Sequence, residues 1–304
     1  MMDADYRGIF VIANTPFDNE GALLWDDLEN TFDWVIRAGG HGLVWPVMAS
    51  EFSVISFRER VEGFRRAVAV SAGRVPVVAG VADTSQAGAV ALAEAAAQAG
   101  ADAVIAMPPW STKLASQALV EAYYRAIAEA AGLPVMIQNV GPPLGSSLPG
   151  SFVVELCERI PLVQYLKEEK DPKGQALSEV LAPHSPEVKG VFSGSQCAYL
   201  LADHARGVAG SMPAAHMVDV DVQIWELLEA GDLEAARKVH KDKMVLESTV
   251  SSLRGGWLSS KEVLRRRGVI SCAAIRNQGP LMLDEVDDAQ LSYALDLVSQ
   301  YFRV

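Results

Sequence analysis

The chain has 304 residues, 50% of them apolar and 21% charged, with a formal net charge of -12. That length and apolar content allow one large or two ordinary globular domains and exclude disorder; 24 glycines and 15 prolines without a fixed period exclude collagen and low-complexity tracts. The acidic balance argues against nucleic acid and anionic membranes as partners, whose phosphates select basic surfaces, while small anionic substrates stay open because a local pocket can oppose the global sign.

Taken in chain order, β-type apolar runs alternate with amphipathic, Ala-rich helical stretches. The runs are Gly8 to Ile12, Gly42 to Pro46, Val75 to Ala79, Ala103 to Ala106, Pro134 to Asn139, Val163 to Lys167, Val188 to Phe192 and Gly207 to Ser211. The helices between them are Trp25 to Ala38, Phe57 to Ser71, Ala87 to Ala99, Ser116 to Ala131, Ser151 to Ile160, Gln175 to Leu181 and Gln196 to Ala205. Even spacing of eight such runs predicts a closed (β/α)8 TIM barrel over residues 1–214. An open dinucleotide-binding sheet would want G-x-G-x-x-G after the first strand, where the chain has Asn14-Thr15-Pro16-Phe17. Beyond residue 214 the strand signals stop. His216 to Glu229, Asp232 to Ser248, Lys261 to Arg267 and Asp288 to Phe302 read as helices, so residues 215–304 are expected as a C-terminal helical extension packed on the barrel. Ala230-Gly231-Asp232 reads as a helix end followed by an N-cap, and Arg265-Arg266-Arg267 as a solvated helix end.

No apolar run reaches the roughly 18 to 20 residues of a spanning helix, and the N-terminus lacks a signal-peptide layout, so a cytoplasmic location is expected. Cys157, Cys197 and Cys272 are widely separated among apolar neighbours and read as buried thiols. His41, His184, His204, His216 and His240 share no ligand spacing, so no metal site is expected.

Barrel enzymes of this kind carry their chemistry at the C-terminal ends of strands. Lys167 ends the run Val163-Gln164-Tyr165-Leu166, where a lysine would enter the barrel mouth. Burial disfavours the ammonium form, and a neutral amine is what attacks a ketone to form a Schiff base. On position alone, a lysine merely paired with Glu168 or Glu169 is the alternative. Apart from Lys167, the mixed-sign run through Asp171 reads as a solvated loop, and Trp45 and Trp110 read as packing elements near strand ends.

Thr15-Pro16-Phe17, Ser50-Glu51, Met107-Pro108-Pro109, Tyr165-Leu166-Lys167-Glu168 and Ser193-Gly194 resemble, in order and spacing, the landmarks of the dihydrodipicolinate synthase and N-acetylneuraminate lyase superfamily. The resemblance runs over nearly the whole chain. It implies that Lys167 forms an imine with a 2-oxo acid, with no other cofactor. Backbone amides around Ala49 and Ser50 would hold the substrate carboxylate, and Gly194, Ser195, Gly210 and Met212 would line the pocket. It also implies a homotetramer or dimer.

The chain departs from that family pattern at three places. Val47-Met48-Ala49-Ser50-Glu51 lacks both threonines of the usual loop, Gln138-Asn139-Val140-Gly141 lacks the tyrosine of the fifth strand, and Trp110-Ser111 lacks a second tyrosine. A hydroxyl relay through those groups cannot operate, and Gln138 cannot titrate near neutral pH. Similar Gln-for-Tyr and Ser-Glu features, with the segment Leu258-Ser259-Ser260-Lys261 to Ile270, resemble the branch that dehydrates 2-keto-3-deoxy sugar acids of the L-2-keto-3-deoxyarabonate type. There an imine at C2 acidifies C3, and the enamine expels a C4 hydroxyl. Glu51, Ser111 and a water held by Gln138 are the candidate bases. Pyruvate-dependent aldol chemistry, including dihydrodipicolinate synthase-type condensation, is the second reading; a catalytically silent barrel that senses a 2-oxo acid is the third.

Overall fold

The computed structural model describes residues 5–110, 116–141 and 146–304. Eight strands, β1 (Gly8–Ile12), β2 (Gly42–Trp45), β3 (Val77–Gly80), β4 (Ala103–Ala106), β5 (Val135–Asn139), β6 (Val163–Glu168), β7 (Gly190–Ser193) and β8 (Gly210–Ser211), form a closed parallel barrel in sequence order. The chain is a (β/α)8 TIM barrel with C-terminal helices. Closure needs a glycine: a Cβ on Gly210 would sit 1.8 Å from the Gly8 carbonyl oxygen. β7 and β8 start later than their apolar runs, because Val188 is spent in a turn onto Ser185 and Gly207 takes φ 91° after a helix.

Strand side chains alternate between two apolar layers. Phe10, Ile12, Val44, Val78, Ile105, Met136, Tyr165 and Phe192 fill the barrel interior. Ile9, Val11, Leu43, Val77, Val104, Val135, Leu166 and Val191 face the helices. Both faces are therefore buried, which is why the strands read as continuous apolar runs rather than alternating ones. Tyr6 closes the lower end, its ring centroid 5.4 Å from Phe10 and 5.0 Å from Tyr165.

The surrounding helices are α1 (Trp25–Arg37), α2 (Phe57–Ser71), α3 (Gln86–Ala99), α4 (Gln117–Ala131), α5 (Gly150–Arg159), α6 (Lys173–Leu181), α7 (Leu200–Ala205) and α8 (Val218–Glu229). α2 begins with a capping box between Ser56 and Glu59, and Ser85 and Ser116 cap α3 and α4 through the same hydroxyl-to-amide geometry. α7 is shorter than the predicted Gln196 to Ala205 helix. Ser195, Gln196 and Cys197 adopt left-handed φ values of 57°, 54° and 59° instead, and the chain reaches helical geometry only after them.

α9 (Leu233–Ser252), α10 (Ser260–Arg266) and α11 (Glu285–Ser299) follow, α9 packing against α8 and α11. Asp232 caps α9 at the Ala235 amide, 3.0 Å away. Of the three arginines only Arg265 is solvated as expected. Arg267 is 3% exposed and paired in a fork with the fully buried Asp219, at 3.0 and 2.7 Å, with its guanidinium over the Phe302 and Trp34 rings. Arg266 bridges Glu262 and Ser292. Apolar stems and paired heads make both part of the interior, a long-range pairing no local pattern discloses. Cys157 and Cys197 are buried as expected, but Cys272 is only partly so. Among the described residues no helix is long and apolar enough to cross a membrane.

Candidate active site

At the C-terminal mouth of the barrel lies a cavity of about 270 Å³. Its polar wall is Lys167, Glu169, Ser195 and Gln196; Ile12, Met48, Val140, Met212 and Trp257 give an apolar one. Ala49 and Ser251 complete the lining.

The strand register builds the polar wall. Gln138 on β5 pairs with Lys167 on β6, and Lys167 with Phe192 on β7. Tyr165 points inward, so Lys167, two residues on, also enters the interior, where its side chain is 3% exposed. One further step of that period brings Glu169 back to the same side. Lys167 Nζ lies 2.6 Å from Glu169 Oε2. Gln138 Nε2 donates to the same oxygen at 3.1 Å, and the Ser195 amide approaches Glu169 Oε1 at 3.4 Å. Burial alone would raise the Glu169 carboxyl. The Lys167 charge and the bonds from Lys167, Gln138 and Ser195 outweigh it and hold the group below its ordinary value. Glu169 is therefore held as a carboxylate beside the Lys167 side chain.

The solvated-loop reading holds at Asp171, whose side chain is exposed, and is corrected at Glu168 and Glu169 by these contacts. Glu168 is 2% exposed, accepts from Asn139 Nδ2 at 2.8 Å and the Lys170 amide at 2.8 Å, and is raised by its burial. It ties β5 to β6 behind the site. Of the two glutamates that sequence offered as partners for Lys167, the structure selects Glu169, which was not among the expected site residues; the two-residue strand period was the signal that could have placed it there.

The remaining expected residues fall in two groups. Ala49, Ser195 and Met212 line the cavity with Lys167. Gln138 reaches it through Glu169. Gly194 makes room for that carboxylate, since a Cβ there would lie 2.2 Å from Glu169 Oε1. Ser50, Glu51 and Gly210 are held elsewhere. Ser50 Oγ donates to the Ala13 carbonyl at 2.6 Å, its amide to Val47 at 3.0 Å, and its own carbonyl accepts from Thr15 Oγ1 at 2.7 Å. Glu51, at φ 58°, is buried against Lys261 Nζ and accepts from the Arg276 amide at 3.0 Å. Lys261 also donates to the carbonyls of Thr15 and Ala274. That geometry makes Glu51 a clasp between the β2 loop and the C-terminal segment. Ser111 lies outside the described residues. Trp45 is buried, with Nε1 on Thr15 Oγ1 at 3.0 Å, and Trp110 stacks edge-on to Phe52. Among the described residues no group of three or more His, Cys, Asp or Glu side chains could hold a metal.

The profile of the dihydrodipicolinate synthetase family matches residues 5–292. The chain belongs to this family. It is 28% identical over 277 residues to the L-2-keto-3-deoxyarabonate dehydratase of Azospirillum brasilense, covering 90% of this chain and 89% of that one. It is 31% identical over 211 residues to the 4-hydroxy-tetrahydrodipicolinate synthase of Bacillus subtilis strain 168, covering 69% and 71%. A solved structure of a Ruminococcus gnavus sialic acid aldolase lysine mutant superposes with a TM-score of 0.89 at 21% identity, covering 99% and 98%, which establishes the shared fold. The family member described here is thus a lyase of the Schiff-base superfamily to which these relatives belong.

Proposed function

We propose that the protein dehydrates a 2-keto-3-deoxy sugar acid through an imine on Lys167, with Glu169 moving the protons. The observation that carries this reading is the 2.6 Å contact between Lys167 Nζ and Glu169 Oε2. The amine form of Lys167, its proton given up to solvent, attacks C2 of the oxo acid. The carbinolamine takes up a proton from solvent and loses its hydroxyl as water, and Glu169 acts on the steps that follow. The resulting iminium acidifies C3; the Glu169 carboxylate removes that proton to give the enamine and then delivers it to the C4 hydroxyl as that group leaves. Hydrolysis of the conjugated iminium frees Lys167, so the net change is loss of one water. One carboxylate near the imine nitrogen can reach both C3 and the C4 hydroxyl, which a dehydration needs. Gln138, in place of the family's tyrosine, orients Glu169 and has no proton of its own to give.

The substrate carboxylate must find its donors on the Ala49 side of the short turn, since the Ser50 amide is engaged by Val47. The L-2-keto-3-deoxyarabonate dehydratase relative supports the substrate class. The synthase relative supports pyruvate condensation as the second reading. A panel of 2-keto-3-deoxy pentonates and hexonates, assayed for both dehydrated product and pyruvate, separates the two. Dehydrated product with borohydride-trapped substrate mass on Lys167 is the expected result. Released pyruvate would favour aldol chemistry, and tight binding without imine or product would favour a sensor.

A further inference from the structure

Beneath the cavity's polar wall, α9 carries a lysine with no exposed surface. Lys243 Nζ contacts Asp221 Oδ1 of α8 at 2.6 Å and Glu247 Oε1 of its own helix at 3.3 Å, and Glu247 in turn lies 3.0 Å from His216 Nε2. The third contact of Lys243 is the backbone carbonyl of Gln196. A buried ion pair of this kind returns little net stability compared with apolar packing, so its presence calls for another use.

The chain it grips is strained. Three successive residues with side chains, Ser195, Gln196 and Cys197, sit in the left-handed region, a strained conformation that persists only where the surroundings over-determine it. The surroundings do so from both sides. Lys243 takes the Gln196 carbonyl, His240 Nε2 lies 3.2 Å from the Cys197 carbonyl, and the Ala214 amide donates to Gln196 Oε1 at 2.7 Å. The held turn presents Ser195 and Gln196 to the cavity and aims the Ser195 amide at Glu169 Oε1.

We propose that Lys243 is a positioning residue for the reaction: by fixing the left-handed turn, it sets the orientation of Glu169 against Lys167. The inference rests on the role given to Glu169 above, but the hold on the turn is measurable without it. In Lys243→Met, amide hydrogen exchange over residues 194–198 is expected to speed up. Pyruvate serves as the chemical probe. Borohydride trapping on Lys167 is expected to persist, while deuterium exchange at the pyruvate methyl group, which requires deprotonation of the imine, falls about tenfold or more. Lys243→Arg keeps the cation and should recover much of the exchange.

Glycine takes positive φ without strain. The effect of Lys243→Met should therefore shrink in a Cys197→Gly background, compared with Cys197→Gly alone. A merely structural lysine would show no such coupling. Unchanged amide protection and unchanged methyl exchange in folded Lys243→Met overturn the proposal, as does an equal loss of trapping and exchange. If Lys243→Met does not fold, Lys243→Gln, which removes the cation but keeps a polar head, is made alone and together with Cys197→Gly and decides by the same two readouts. Wild-type protein that neither traps nor exchanges would refute the proposed function, and amide protection of the turn would still decide whether Lys243 holds it.

Discussion

At the scale of single residues, the proposed chemistry rests on Lys167 and the carboxylate two positions later. Replacing Glu169 with Gln keeps the volume and removes the titrating oxygen. Turnover is expected to fall about 10²- to 10⁴-fold, the usual contribution of a positioned acid-base group, while borohydride trapping of an oxo acid on Lys167 persists. Loss of trapping together with turnover would assign Glu169 to imine formation alone. Gly194→Ala tests the same geometry from the other side. The added Cβ would meet Glu169 Oε1 at 2.2 Å and must displace it, so a loss of about 10²-fold in kcat is expected, the scale of a 1 Å misplacement; unchanged kcat would show that the carboxylate has latitude to move. Lys167 was legible in the sequence because a lone cation at the end of an apolar strand is conspicuous. Its partner was legible only as a choice between Glu168 and Glu169, because Lys167-Glu168-Glu169-Lys170-Asp171 looks solvated when read by charge, and only the continued in-out period separates the two glutamates.

At the scale of elements, the barrel strands and most helices could be read from apolar runs and caps, since both are local signals. The left-handed turn at Ser195–Cys197 could not, because residues with side chains carry no sequence mark of positive φ, and tertiary contacts impose it. The same holds for the clasp from the C-terminal segment onto the β2 loop and the start of α2. Glu59 caps α2 at Ser56 and accepts both forks of Arg276 at 2.8 and 3.0 Å. Its partial burial would raise the carboxyl, yet Arg276 and Ser56 hold it at about 2, below the ordinary 4.5. A lowered carboxyl adds stability above its unfolded value and loses it as the pH falls through the folded one. This contribution should therefore be intact above pH 4.5 and disappear towards about pH 2. Urea midpoints measured over that range should fall less steeply in Glu59→Gln than in wild type. Parallel curves would mean the pair is screened by solvent.

At the scale of the whole molecule, the C-terminal helices are held to the barrel by buried charge as well as apolar packing. Asp219 on α8 meets the fork of Arg267 and accepts from the Arg303 amide at 3.0 Å. Asp219→Ala leaves a guanidinium buried without its partner and should destabilise the protein by about 3–5 kcal/mol, measured as a shift in the urea unfolding midpoint. A shift under about 1 kcal/mol would mean that Arg267 finds water or another acceptor on losing its carboxylate. None of this pairing was visible in sequence, where the arginines form a simple basic cluster 46 to 48 positions from Asp219.

The cavity's two walls also have separate origins. Lys167 and Gln138 come from neighbouring strands β6 and β5 and Glu169 from just beyond β6, whereas Ser251 and Trp257 arrive from the C-terminal extension. Under the proposed function, bond-making and substrate choice are therefore written in different stretches of chain. On that reading, descendants of this barrel trade one sugar acid for another by editing residues near 251–257, leaving Lys167 and Glu169 untouched.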